Sequence, residues 1–242
     1  MLFLLKVAVV YTGLVVILTL LWTFVPPVST LMVRYWAEGR AVRRIAVPIE
    51  EISPNLVLAV LHSEDAHFCD HQGVDWDAMT RVLLRRGGPS RGASTIPMQT
   101  AKNLYLWPSR SYVRKGLEIP VTYFMSLVWS RRHVMETYLN IAEWGNGIIG
   151  AEAAARHYFK KSARKLTNQE AALMAVSLPN PLLRNPARPG RDERAKARTV
   201  LSRMYQKDTM HCVFPPKPPE SGQKPPRRST PASEGPPLDL LH

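Results

Sequence analysis

The chain has 242 residues, room for one compact domain once an apolar N-terminus and a polar C-terminus are set aside. Its 45% hydrophobic and 21% charged content is that of an ordinary globular protein. The balance of 32 Lys and Arg against 19 Asp and Glu gives a net charge of +13, which calls for an anionic partner: nucleic acid, an anionic lipid surface or a phosphate-bearing substrate.

Between Val7 and Val33 no side chain is charged, and residues 9–25 are nearly continuous apolar sequence. The stretch is long enough to cross the hydrocarbon core, and Trp22 with Pro26 and Pro27 marks an interfacial end. A retained anchor is expected rather than a cleaved signal peptide, whose apolar core is shorter and whose small-residue cleavage site is missing before Pro26. Only Lys6 and the α-amine precede the span, whereas Arg34, Arg40, Arg43 and Arg44 follow it. A literal count of positive charge would therefore leave the domain in the cytoplasm.

Residues 34–52 read as a basic connector, with an apolar run over 45–49 suited to a small strand or to the membrane surface. Ser53 and Pro54 begin a helix as cap and first-turn proline. It is predicted to run to about Phe68, with Leu56, Val57, Val60, Leu61, Glu64 and Phe68 on one stripe. Glycines and arginines over 85–92 read as a mobile loop, and Thr95 caps the next helix, with Pro97 in its first turn. A helix over 111–128, kinked at Pro120, leads into another over 131–144. Gly145, Gly147 and Gly150 then break the chain before an Ala-rich helix over 151–159. Thr167 and Glu170 form a capping box in front of a helix over 171–178, which Pro179 and Pro181 stop. A last helix covers 191–205, and the Pro-rich sequence beyond Phe214 reads as disordered. The expected architecture is mainly α: anchor and short N-terminus over 1–33, connector over 34–52, helical domain over 53–208, disordered tail over 209–242. Cys69 and Cys212 are far apart, with Cys212 in what reads as a frayed end, so no disulfide is expected; no CxxC pair suggests zinc.

Three groups of residues carry candidate chemistry. Glu64 lies on the apolar stripe of its own helix, where partial desolvation raises its proton affinity and suits a general base; the bland alternative is a buried carboxylate satisfied by an arginine or an amide. His67 and His71 are four apart, a spacing open to a metal, but the His-Glu-x-x-His order is absent, and local hydrogen bonding at a helix end is the expectation. On the helix after Thr95, Gln99, Lys102 and Asn103 share a face, and exposed amides near Ser94 and Thr95 make an anion site; the alternative is a capped surface helix with a solvated lysine. Arg110, Arg114, Lys115 and Glu118 group cations around an acid, which alone is an ordinary salt-bridge cluster.

Order and spacing say more than any one group. Glu64-Asp65-x-x-Phe68-x-x-His71-x-Gly73-x-Asp75, then Gly92-Ala93-Ser94-Thr95-Ile96-x-x-Gln99-x-x-Lys102-Asn103-Leu104, then Arg114-Lys115-x-x-Glu118 resemble the peptidoglycan glycosyltransferases of family 51. The likeness continues through Glu136-Thr137-Tyr138-Leu139-Asn140, the glycines after Trp144, Tyr158-Phe159-x-Lys161, Glu170-Ala171-Ala172-Leu173 and Pro179-Asn180-Pro181. With one domain and no room for a transpeptidase after it, the chain is similar to the monofunctional branch.

The resemblance implies a lysozyme-like helical fold and a reaction that joins lipid II units with inversion into a β-1,4 glycan, releasing undecaprenyl diphosphate. It implies Glu64 as the base that deprotonates the acceptor hydroxyl. Ser94, Gln99, Lys102, Asn103, Arg110, Arg114 and Lys115 would be substrate contacts, the cations facing the diphosphate leaving group. Glu118 would be the second essential acid, either holding a divalent cation such as Mg or Mn or orienting the bases; no organic cofactor is implied. The expected partners are lipid II, the lipid-linked strand, the membrane, and cell-division or other peptidoglycan synthases, not nucleic acid. The domain would face the periplasm from the inner membrane, with the arginines after the anchor against anionic lipid phosphates. Where the family commonly has a Gln-Gln pair this chain has Met98-Gln99, with Pro97 in place of a small polar residue, which predicts lowered activity or rearranged donor contacts. The competing functions are a lysozyme-like glycan-cleaving enzyme and a non-catalytic membrane scaffold for cell-wall synthesis.

Overall fold

The first 20 helical residues, α1 (Leu2–Leu21), carry almost only apolar side chains, most of them exposed. At 1.5 Å per residue they span about 30 Å, the thickness of a bilayer core. Its C-terminal half meets the rest of the protein. Thr19 is buried with its hydroxyl 2.8 Å from that of Tyr105, and the Trp129 indole N–H donates to the Thr19 carbonyl and the Thr23 hydroxyl. The computed structural model describes residues 2–84, 94–108, 111–204 and 210–215; the expected loop over 85–92, Arg110 and the Pro-rich tail beyond residue 215 lie outside them.

The charge-free stretch does not remain one helix to Val33. The chain breaks over 22–29, and Ser29 caps a second helix, α2 (Thr30–Ala37), whose Met32 and Tyr35 are buried in the domain. The segment over 34–52 is likewise drawn into the core rather than left as a connector, because Ile49 and Ile52 are fully buried. Three of its arginines bind protein. Arg34 and Arg40 pair with Glu38, Arg40 also bonds Asn146 and stacks over the Tyr35 ring, and Arg44 donates to the Asn140 carbonyl. The strand does not fall at 45–49 but two residues earlier: β1 (Arg43–Arg44) runs parallel to β3 (Ile148–Ile149), which pairs antiparallel with β2 (Glu143–Gly145). Gly147 turns between β2 and β3 with φ +68°, where a Cβ would lie 2.5 Å from the Ala41 carbonyl oxygen.

The remaining helices are α3 (Pro54–Glu64), α4 (Trp76–Leu83), α5 (Ile96–Tyr105), α6 (Tyr112–Val128, with Pro120 inside it), α7 (Arg131–Ile141), α8 (Ala151–Phe159), α9 (Asn168–Ser177) and α10 (Arg191–Met204). They form two packed groups, α3 against α9 and α10, and α5 against α6 and α7. Fully buried Ala171, Ala172 and Ala175 let α9 approach Ala59 of α3 closely. Trp144, Tyr138, Phe68 and Leu56 fill the space between the layers, each large side chain contributing about 2–3 kcal/mol through lost water contact. The capping box at Thr167 and Glu170 forms as read. The architecture is mainly helical and lysozyme-like.

Two boundaries moved. α7 stops at Ile141 because residues 143–145 join the sheet, and α3 stops at Glu64, four residues short of Phe68. The end of the chain is a larger correction. Cys69 and Cys212, 143 residues apart, form a disulfide, and the segment over 210–215 is folded rather than frayed. Val213 is fully buried, its carbonyl accepts from Arg132, and the same guanidinium lies over the Phe214 ring.

A bridge closing so long a loop restricts the unfolded chain strongly. Cys69→Ser or chemical reduction is expected to remove about 2–5 kcal/mol of stability, lowering the thermal midpoint of the purified chain by about 5–15 °C. Equal midpoints for oxidised and reduced protein in a calorimetric scan would contradict this.

Candidate active site

The site begins where α3 ends. Asp65 leaves the helix with φ −156°, and its buried carboxylate accepts from the Ile96 N–H at 2.9 Å and from His71 Nε2 at 3.0 Å. The Gly73 N–H donates to His71 Nδ1 at 3.1 Å, so His71 is neutral, with its proton on Nε2. Gly73 sits at φ +96°, where a Cβ would press on Ser126 and Thr122, and its carbonyl accepts from Thr95, the cap of α5. Arg131 clamps the outside of the loop by donating to the carbonyls of Phe68 and His71. His71 is thus the hydrogen-bonding histidine that the spacing favoured, and His67 lies at the surface beside Asp70.

This joint presents Glu64, the last residue of α3, to one face of α5. Glu64 Oε2 accepts from Gln99 Nε2 at 3.1 Å, Oε1 accepts from Ser63, and the Tyr138 hydroxyl donates to Gln99 Oε1 at 3.1 Å. The relay aims the amide so that its N–H₂, not its oxygen, meets the carboxylate. Burial pushes the Glu64 pKa above its ordinary value, with Gln99 and Ser63 opposing that rise. Burial also drives the Tyr138 phenol well above the usual range, so it remains a donor.

One turn along α5 lies Lys102. Among the described residues no acid comes within ion-pair distance of its ammonium, and burial holds its pKa below the ordinary value; Glu118 counters this, while Arg114 and Lys115 add to it. The cationic knot sits on the first turns of α6. Glu118 is 2% exposed, and its two oxygens hold Arg114 at 2.5 Å and Lys115 at 2.8 Å. Lys115 also donates to Ser94 at 2.9 Å, joining the knot to the start of α5. The structure therefore brings Glu64, Ser94, Gln99, Lys102, Arg114, Lys115 and Glu118 into one electrostatic neighbourhood. Asn103 is half-buried beside Lys102, with its carbonyl accepting from Thr30 of α2. Arg110, read as a further contact, lies outside the described residues.

Both oxygens of Glu118 are engaged by basic side chains. A cation would compete with Arg114 and Lys115 for the same two oxygens, and the described residues contain no group of three His, Cys, Asp or Glu side chains able to hold one. Met98 is also relocated. Its side chain is fully buried, and Pro97 occupies the first turn, where no backbone N–H is missed. Met98 therefore lies on the buried side of α5, whereas Gln99 is partly exposed on the face that meets Glu64.

Residue patterns did not single out Tyr138, Ser63 or Arg184. Tyr138 stands within the motif 136–140 but shows its role only once α7 packs on α5. Arg184 favours the charged form of Glu64 from beyond α9, while its own Nη1 donates to the Val176 carbonyl. No local spacing connects positions 120 residues apart, and only packing does so.

A model of the transglycosylase family matches residues 31–205, from the start of α2 to the end of α10. The chain is 56% identical over 203 residues to the biosynthetic peptidoglycan transglycosylase of Brucella melitensis, covering 82% of this chain and 91% of that one. It is 55% identical over 170 residues to the protein of that name from Agrobacterium fabrum, covering 69% of this chain and 75% of that one. The corresponding protein of Rhodopseudomonas palustris is 50% identical over 200 residues, or 81% and 88% of the two chains. The family model spanning residues 31–205 and relatives more than half identical over most of both chains place this chain, with its buried carboxylate facing a cationic knot, in the transglycosylase family of peptidoglycan-synthesising glycosyltransferases, of the family 51 type.

Proposed function

We propose that the enzyme transfers the growing lipid-linked glycan onto lipid II by a single inverting displacement. The observation that carries this reading is the pairing of a desolvated carboxylate, Glu64, with cations held ready on the next two helices. Glu64 takes the proton of the acceptor sugar hydroxyl as that oxygen attacks the donor's anomeric carbon. The bond to the diphosphate breaks on the opposite face, so an α-linked donor becomes a β-1,4 product and undecaprenyl diphosphate departs with the electron pair. Negative charge gathers on the diphosphate oxygens, and Lys102, Arg114 and Lys115 stabilise it more in the transition state than in the ground state. Glu118 anchors Arg114 and Lys115 in place, and no step is routed through a metal.

The same reading puts the domain on the periplasmic side of the inner membrane. Support comes from the Cys69–Cys212 disulfide, which belongs to an oxidising compartment, and from α1, which is compatible with a membrane anchor. The arginines after the anchor weigh less against this than their number suggests, since Arg34 and Arg40 are paired with Glu38 and Arg44 is partly buried against the Asn140 carbonyl.

With labelled lipid II, the wild-type chain is expected to build polymer, and Glu64→Gln to slow it by about 10²–10⁴-fold without loss of folding. Shortened strands from sacculi, or an active Glu64→Gln, would sink the reading. Because Glu64 works deprotonated and its pKa is raised, the acid limb of kcat/KM should fall above the ordinary 4.5. Gln99→Leu removes a donor that steadies the carboxylate, so that limb should move to still higher pH; an unmoved limb would separate Gln99 from the base. Lys102→Ala should lower kcat by about 10²–10³-fold with a smaller change in KM, and an effect confined to KM would deny it a part in the transition state.

A further inference from the structure

A second cleft opens on another face of α7, lined by residues 22–27 at the foot of the anchor and by Val47, His133, Glu136, Thr137 and Asn140, with a volume of about 300 Å³. Its place is set by α1: the cleft begins at Trp22, the residue after the apolar helix ends, which is headgroup depth for a chain anchored by that helix. The rim is built. His133 Nε2 donates to the Trp22 carbonyl at 3.1 Å, and Asn140 is saturated by both backbone groups of Val47. The half-buried Glu136 is different. One of its oxygens accepts from the Ile49 N–H at 2.8 Å, and among the described residues no Lys or Arg pairs with it, in a chain of net charge +13. Glu118, Glu152 and Glu170 each hold a basic side chain, while the half-buried Glu64 and Glu143 are met by neutral donors, Gln99 and Ser63 at one and Tyr35 at the other. No Lys or Arg lines the cleft among the described residues, so a bare phosphate has no counter-charge there, whereas a cation has one.

We propose that this cleft binds the primary ammonium headgroup of a membrane phospholipid, with Glu136 as its counter-charge and the walls at Phe24, Val25 and Pro27 against its glycerol backbone. The occupant is a lipid because residues 22–27, which follow directly on the apolar helix α1, form one wall of the cleft. It is a primary amine because a trimethylated ammonium has no N–H to donate to the free Glu136 oxygen. The site shares α7 with Tyr138, which faces Gln99 on another side of the helix, so a bound lipid would hold the anchor against the helix that aims the catalytic amide. This is independent of which sugar substrate the enzyme uses.

The test is lipid retention by the full-length chain extracted from nanodiscs of matched acyl composition, measured by native mass spectrometry. Wild type is expected to keep an ethanolamine phospholipid over a choline or glycerol one by about five- to tenfold, the range for one charged hydrogen bond at a partly exposed site. Glu136→Gln keeps an oxygen for the Ile49 N–H and should abolish the preference, and Ala46→Phe, a change at an exposed rim residue, should do the same by filling the cleft. Equal retention of the three lipids by wild type, or a preference that survives Glu136→Gln, overturns the proposal. If Glu136→Gln fails to fold, survival of the preference in Ala46→Phe overturns it instead. Polymerisation of lipid II is measured in parallel, so that a failure here is told apart from a failure of the catalytic reading.

Discussion

The Asp65 carboxylate joins two helices that meet nowhere in sequence. By accepting from the Ile96 N–H it satisfies an otherwise unpaired donor at the start of α5, and by accepting from His71 it closes the loop that ends α3. Glu64 is its neighbour on one side of this joint, and Gln99 and Lys102 lie one and two turns beyond it on the other. The distance between base and cations is therefore set by a buried bond rather than by flexible side chains. Removing such a buried acceptor strands a donor in the interior, at a cost of about 1–3 kcal/mol besides the lost register.

The electrostatics of the site follow from that geometry. A carboxylate meant to take a proton must be short of solvation, and a cation meant to receive a developing charge must not already be neutralised. Glu64 meets the first condition by burial, relieved only by an amide and a hydroxyl. Lys102 meets the second by having no acid within ion-pair distance among the described residues. Arg114 and Lys115 share one acid between two positive charges, so the knot keeps a net positive charge while each member is held in place. A fully paired cluster would have been stable and inert.

The fold also ties the apolar N-terminal helix to the helices of the candidate site. α1 is clamped through Thr19 and Trp22 to Tyr105, the last residue of α5, and to Trp129 and His133 at the start of α7. Those two helices carry Gln99, Lys102 and Tyr138. An apolar helix attached in this way is held in a fixed position relative to Gln99, Lys102 and Tyr138.

Much of this was legible in residue patterns. The long apolar N-terminus, the caps at Ser53, Thr95 and Thr167, and the Ala-rich helix over 151–159 are local features, decided within a few residues by hydrogen bonding and periodicity. Glu64, Lys102 and the cluster around Glu118 were also visible, because their chemistry repeats at helical spacing. What local sequence could not decide depended on distant partners. α3 ends at Glu64 because Ile96 and His71 capture Asp65, Met98 turns inward because α5 packs between α6 and α7, and Cys69 finds Cys212 because the last helix returns to α3. The sequence by itself determined the mainly helical character, the family and most of the helices, though not α2 or α4. Only the tertiary structure decided which polar groups were desolvated, which acids the arginines met, and which donor faced Glu64, since burial and pairing are properties of neighbours the chain brings together from far apart.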